Sequence, residues 1–214
     1  MSSTTAPPAK LPEVQLPSYS WRTLSPSAQL LYIQTEKDAN EAVSLLETDI
    51  VGFDLEWKPN YSKYQPENPV ALVQIANNDY ILLIQISRMR EFPKKLKEYL
   101  QNPDILKAGV GIQKDVTKLF RDHDVAMRSC VDLALLARSV DNANWKGRYT
   151  NPIGLARLIQ TYEYLALEKG KVTRSNWERH LNPKQQEYAG NDAHAGFVLY
   201  TRLEDMKNNM AIIP

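Results

Sequence analysis

The stretch Val51-Gly52-Phe53-Asp54-Leu55-Glu56-Trp57 decides how this chain is read. Its β-branched entry, its aromatics and its alternation describe a β-strand. Side chains two apart on a strand share a face, so Asp54 and Glu56 project together while Phe53, Leu55 and Trp57 point the other way. Two carboxylates side by side on an apolar strand repel each other and resist desolvation. A hard divalent cation such as Mg²⁺ or Mn²⁺ would relieve both penalties, because these ions prefer carboxylate oxygen and water. Taken alone, the pair also fits two solvated acids at a frayed strand end.

The 214 residues suffice for one domain with a full core and some tail. Lys and Arg total 26 against 25 for Asp and Glu, so any contact with nucleic acid must come from local basic clusters. Cys130, the single cysteine, excludes an intramolecular disulfide framework and reads as a small buried apolar residue. No apolar run approaches the length of a membrane span, and Met1–Pro8 lacks the hydrophobic stretch of a secretion signal. The expectation is a soluble, intracellular protein.

Residues 1–27, rich in Pro and Ser, read as a flexible lead-in from which only Trp21 docks back, and residues 28–214 read as one α/β domain on a mixed sheet. A first strand is expected over 29–34, then a helix capped by Thr35 and running to about Leu46. After the acidic strand and a proline-containing loop, Val70–Ala76 and Tyr80–Ile86 flank Asn77-Asn78-Asp79 as a hairpin. A helix from Pro93 to about Leu100 and a strand over 105–110 follow, then helices over 113–121, 131–139 and 153–167. A final long helix opens at Asn182-Pro183.

Three further positions could complete a site with Asp54 and Glu56. Asp115 lies on a helix whose apolar stripe is Ile112, Val116, Leu119 and Phe120, at the border of the buried face. It also fits an acid favoured by the helix dipole in a first turn. Tyr188 and Asp192 lie four apart on the last helix, on the face that continues through Ala195, Gly196 and Leu199. Small residues there let the helix approach the sheet closely; a core tyrosine beside an exposed acid is the plainer alternative. Together, four carboxylates from a strand and two helices can hold two divalent ions about 4 Å apart, the arrangement suited to phosphoryl displacement. His123, His180 and His194 lack zinc-ligand spacing, and no G-x-S-x-G or P-loop pattern occurs.

Gly-Phe-Asp54-Leu-Glu56-Trp, Gly111-Ile-Gln-Lys-Asp115 and Tyr188-Ala-Gly-Asn-Asp192-Ala resemble the three motifs of the DEDDy branch of 3′–5′ exonucleases. Within that branch the first motif, Ser175-Asn176-Trp177 and the run 188–197 are most similar to Werner-type exonuclease domains. The resemblance covers about residues 28–205 and implies a ribonuclease-H-like fold, a mixed sheet flanked by helices. It implies that Asp54, Glu56 and Asp192 ligate the metal holding the attacking water. Asp54 would bridge to a second metal, Asp115 would act on that metal directly or through water, and Tyr188 would orient the water. Where the sister branch has a histidine, this chain has Glu187. The segment Lys169–Arg174 departs from the pattern and aligns only with a short gap.

The implied activity is a 3′–5′ exonuclease using two Mg²⁺ or Mn²⁺ ions and releasing nucleoside 5′-monophosphates, with DNA favoured. The alternatives are a ribonuclease-D-like exoribonuclease and a non-catalytic nucleic-acid-binding module of the same fold. The expected partner is nucleic acid with a free 3′ end. Candidate contacts are Trp57, Lys58, Lys63, Arg88, Arg90 and the Lys169–Arg179 segment, in which Lys171 and Arg174 supply charge and Trp177 stacks on a base. A helicase or other repair factor in trans and a nuclear location complete the expectation.

Overall fold

The computed structural model describes residues 15–148 and 150–211, so residues 1–14 of the lead-in expected over 1–27 lie outside it. At the centre lie β2 (Ile50–Trp57) and β3 (Val70–Ala76), paired antiparallel with Asp54 opposite Gln74. Every residue of β3 is buried, as a central strand covered on both faces requires. The hairpin forms as expected: the Asn77 side chain accepts from the N–H groups of Asp79 and Tyr80 and turns the chain into β4 (Tyr80–Ile84). β1 (Gln29–Ile33), β5 (Leu106–Gly109) and β6 (Cys130–Asp132) complete a six-stranded sheet in the order β1-β4-β3-β2-β5-β6. β1 runs parallel to β4, and β2, β5 and β6 run parallel to one another.

Helices cover both faces. On one side α2 (Glu36–Val43), α3 (Lys94–Gln101) and α4 (Ile112–His123) pack against Val51, Phe53, Leu55 and Ile75. On the other, α5 (Leu133–Val140), α6 (Leu155–Tyr162) and α7 (Pro183–Ala211) form the second layer, with α7 lying across the sheet. Thr35 caps α2 as expected, accepting from the Asp38 N–H. Asn182 and Gln185 exchange side-chain and backbone bonds at the start of α7. No helix among the described residues is long and apolar enough to cross a membrane.

Four expectations need correction. From Pro17 onward the lead-in is packed rather than flexible. The Tyr19 N–H donates to the Ala166 carbonyl and the Ala166 N–H to the Pro17 carbonyl. The Tyr19 hydroxyl lies 2.7 Å from His194 Nδ1, and the Trp21 N–H donates to Asn191 at 2.9 Å. A four-residue helix, α1 (Trp21–Leu24), buries Trp21 against α7. Two aromatic anchors thus outweigh the Pro- and Ser-rich composition. Second, β6 takes the residues expected to open a helix at Val131. Asp132 ends the strand and caps α5, accepting from the N–H groups of Ala134 and Leu135. Third, α6 is shorter than expected. It opens at Leu155 after the N-cap Gly154 rather than at Ile153, and Tyr164 has φ of +56°, a left-handed geometry that a helix cannot continue through. Fourth, Phe120 is over half exposed, because one residue past Leu119 turns 100° off the buried stripe.

Candidate active site

Glycine lets the second layer come close enough to matter. A Cβ on Gly52 would collide with the Ala193 carbonyl oxygen on α7, and one on Gly196 would come within 2.9 Å of the Ala108 carbonyl oxygen. The strand and helix backbones therefore pack almost directly on each other. Gly52, Asp54 and Glu56 share the strand face that meets α7, while Phe53 and Leu55 enter the opposite core. Asp192 adjoins Ala193 in sequence, so the contact that excludes a methyl group delivers its carboxylate to Asp54 and Glu56. Asp54, Glu56 and Asp192 each offer an oxygen within 4.8 Å of the others.

Asp115 is placed differently. Gly111, at φ +71°, turns the chain from β5 into α4, and its N–H is held at 3.0 Å by Asp132. This brings Asp115 near enough for its charge to act on Asp54 and Glu56, though it stands outside the compact trio. Both Asp115 and Asp192 are 8% exposed, so Asp192 is not the exposed acid that its sequence also allowed. Asp115 does stand in the first turn of α4, where the helix dipole favours an acid, but buried.

Electrostatics makes the cluster costly without a cation. Burial first, then the charges of Asp192 and Asp115, hold the Asp54 carboxyl well above its ordinary range. Burial, reinforced by Asp54, Asp192 and Asp115, pushes Glu56 up to about 10. Burial pushes Asp115 to about 7, opposed by Lys114 and reinforced by Asp132. It pushes Asp192 to about 6, opposed by a hydrogen bond from Tyr188 and by the charge of Lys169. Converging, desolvated carboxylate oxygens match the donor preference of a hard divalent cation, so the residues present fit such an ion. Burial and the Asp192 charge keep the Tyr188 hydroxyl protonated far above neutrality. That makes it a hydrogen-bond donor at pH 7 and not a base.

Lys169 is the residue that sequence reasoning did not single out. It lines a cavity of about 180 Å³ together with Asp54, Tyr188, Asp192 and Gly196, and its charge lowers the pKa of both aspartates. It lies in the segment that aligns only with a gap, where no spacing marked one lysine over its neighbours. Asp132, which positions Gly111, was also missed, since the helix was expected to open at Val131; an Asp directly before an apolar helical run is the signal that could have found it. Gln74, opposite Asp54, is fully buried with no partner for its amide among the described residues.

The expected nucleic-acid contacts divide. Trp177 is fully buried against Tyr188, so the stacking role is corrected: its ring fills the core under α7, and its carbonyl accepts from Gln85. Trp57 packs partly into the core with Lys118 over its ring. Lys58 pairs with Glu178 at 3.6 Å. Lys171 and Arg174 are exposed on a 3₁₀ turn before α7.

A family model described as 3′–5′ exonuclease matches residues 30–208. The chain belongs to the 3′–5′ exonuclease family. It is 38% identical over 168 residues to the mouse bifunctional 3′–5′ exonuclease/ATP-dependent helicase WRN, which aligns 77% of this chain and 12% of that protein. It is 32% identical over 192 residues to an Arabidopsis thaliana 3′–5′ exonuclease, 83% of this chain and 64% of that protein. It is 30% identical over 195 residues to the Drosophila melanogaster exonuclease 3′–5′ domain-containing protein 2, 86% of this chain and 32% of that protein. The chain thus spans less than two thirds of each relative.

Among solved structures, the Aedes aegypti Nibbler EXO domain superposes with a TM-score of 0.72 at 21% identity, covering 85% of this chain and 89% of that one. Escherichia coli RNase D gives 0.69 at 22%, covering 87% and 47%. At that identity the likeness establishes the fold, and the six-stranded mixed sheet flanked by helices is the ribonuclease-H-like one expected. The acidic cluster lies where the parallel strands β2 and β5 end, beneath α7.

Proposed function

We propose that this chain removes nucleotides from the 3′ end of a nucleic acid, releasing nucleoside 5′-monophosphates with the help of two divalent cations, Mg²⁺ or Mn²⁺. The observation that carries the proposal is the convergence of Asp54, Glu56 and Asp192 within 4.8 Å, with Tyr188 facing Asp192. Asp54, Glu56 and Asp192 would hold one ion, and Asp54 with Asp115 the other. When bound, such ions supply Lewis acidity and lower the pKa of water from about 15.7 toward 7.

The chain's own groups do the rest. Without an ion the protonated Tyr188 hydroxyl donates to Asp192. With that carboxylate engaged by an ion, the same hydroxyl would be free to donate to the attacking water and fix its orientation. Lys169, across the same cavity, presents a cation to the negative scissile phosphate. The sheet and α7 hold the carboxylates on rigid elements, so little reorganisation is needed as charge develops. We place DNA ahead of RNA, and a nuclear, repair-associated role ahead of others, on the similarity of motif wording to the Werner-type relative.

The test is digestion of matched DNA and RNA oligonucleotides, single-stranded and duplex, labelled at the 5′ end. A ladder shortening from the 3′ end with release of 5′-mononucleotides is expected, faster on DNA. Faster digestion of RNA would move the assignment to an exoribonuclease. Binding without cleavage in Mg²⁺ and in Mn²⁺ would leave a non-catalytic module.

A further inference from the structure

The loop that joins β2 to β3 leaves the strand two residues beyond Glu56 and carries two aromatic rings in water. Tyr61 is 81% exposed and Tyr64 96%, whereas no other large hydrophobic side chain among the described residues exceeds 72%. An aromatic side chain can bury 150–250 Å², so a loop free to move would fold its rings down onto the protein. This loop is not free at its base. Asn60 donates to the carbonyls of Gln65 and Pro66 at 3.1 and 2.6 Å, and Asn68 ties back to Asn60 and to the Lys58 carbonyl. Glu67 is bound by Arg121 at 2.7 Å and by Lys118 at 3.2 Å. Lys118 is buried, also pairs with Asp122 at 2.9 Å, and sits over the Trp57 ring. The helix that supplies Asp115 therefore clamps the loop from one side, and the Lys58–Glu178 pair braces the other.

The tip between Pro59 and Pro66 has one charged residue, Lys63, set between the tyrosines, and no acid. Exposed rings alternating with a cation, on a pinned loop, match what a single strand needs: flat faces for bases and positive charge for phosphate. A held base also lowers the ordering cost on binding. We infer that Tyr61 and Tyr64 form a stacking platform for unpaired bases upstream of the 3′-terminal nucleotide on the strand being digested, with Lys63 beside its backbone. The inference rests on the exonuclease reading of the adjacent site and adds the surface that would hold the substrate's body. A π-face accepts any base, so the platform confers affinity without sequence preference.

The test compares Tyr61→Ala/Tyr64→Ala and Tyr61→Phe/Tyr64→Phe proteins with wild type on two substrates. One is a single-stranded oligodeoxynucleotide; the other is the p-nitrophenyl ester of thymidine 5′-monophosphate, too short to reach the loop. The alanine pair is expected to raise KM for the oligonucleotide at least about tenfold, leaving kcat and ester hydrolysis near wild type. The phenylalanine pair, which keeps both rings, should behave as wild type. Unchanged oligonucleotide KM in the alanine pair, or parallel loss of ester hydrolysis, would overturn the platform. Should wild-type protein cleave neither substrate, the exonuclease reading itself would fall. Fluorescence anisotropy of a labelled single-stranded oligonucleotide would then decide the platform: at least about tenfold weaker binding by the alanine pair supports it, and equal binding refutes it.

Discussion

Gly52 on the acidic strand packs against the main chain of Ala193 so closely that a methyl group has no room between them. Asp54 lies two residues along the same strand face and Asp192 immediately precedes Ala193, so this one contact sets the distance at which the two carboxylates meet. Gly52→Ala should cost on the order of 2–4 kcal/mol, because backbone and not a flexible side chain must yield. For a chain of this size that lowers Tm by roughly 5–15 °C. Gly196→Ala, whose new methyl would stand 2.9 Å from the Ala108 carbonyl, should cost less, and Gly170→Ala, facing open space, almost nothing. Thermal denaturation of the three variants checks the order. Equal Tm values would show that strand and helix are not locked together there.

Tyr188 and Asp192 sit one turn apart but should fail differently. Tyr188→Phe removes a single hydroxyl and should slow cleavage about 10- to 100-fold, the worth of one hydrogen bond to a charged group, with Mn²⁺ affinity unchanged. Asp192→Asn should lose both cleavage and most Mn²⁺ affinity. Calorimetric titration beside single-turnover rates separates the two; a Tyr188→Phe protein that no longer binds Mn²⁺ would contradict the positioning role.

Burial holds Asp192 at about 6 and Asp115 at about 7, both above an ordinary value of 3.8. A carboxyl whose pKa is raised by folding stabilises the fold while it stays protonated; the contribution is full below about pH 4 and is lost as pH rises through the folded value. Between about pH 4 and 7, divalent-free protein should therefore lose this part of its stability. His194, which burial depresses to about 4, works in the opposite sense over an overlapping range. Comparison with Asp192→Asn removes its effect. Because a divalent ion competes with these protons, the gain in Tm from added Mn²⁺ should grow across the same window. A gain independent of pH would mean that the carboxylates are already ionised.

Lys169 supplies positive charge to a cavity whose other polar side chains are those of Asp54, Asp192 and Tyr188. Lys169→Ala should reduce kcat about tenfold or more, and Lys169→Arg should restore part of it. Its charge lowers the pKa of Asp54 and Asp192, so the alanine variant should also shift the acidic limb of the rate profile to higher pH. An unshifted profile with full activity would assign Lys169 to the solvated surface.

Much of this site could be read from residue order because its signals are local. Alternation put Asp54 and Glu56 on one strand face, and four-residue spacing put Tyr188 and Asp192 on one helix face. Asn182-Pro183 fixed where that helix begins. What stayed hidden depends on contacts between distant segments. Trp21 docks as expected, but Tyr19 was not singled out, and nothing in a Pro- and Ser-rich stretch announces that His194 and Asn191, more than 160 residues away, are the partners that anchor the two. β6 has three residues, too few for any periodicity, and exists because β5 offers it a parallel edge. Trp177, in a basic segment, could stack on a base or fill a core; the space under α7 decides for the core.

The central claim is that Asp54, Glu56 and Asp192 act as one cation-holding centre that performs hydrolysis. The most direct measurement is the rate of 5′-mononucleotide release from a 3′ end by wild-type and Asp54→Asn protein across a Mg²⁺ titration beginning in chelator. Wild-type protein should be inactive in chelator and rise to saturation with Mg²⁺, while Asp54→Asn stays at least about a thousandfold slower at every concentration. Cleavage by wild type in chelator, or by Asp54→Asn at the wild-type rate, would contradict it.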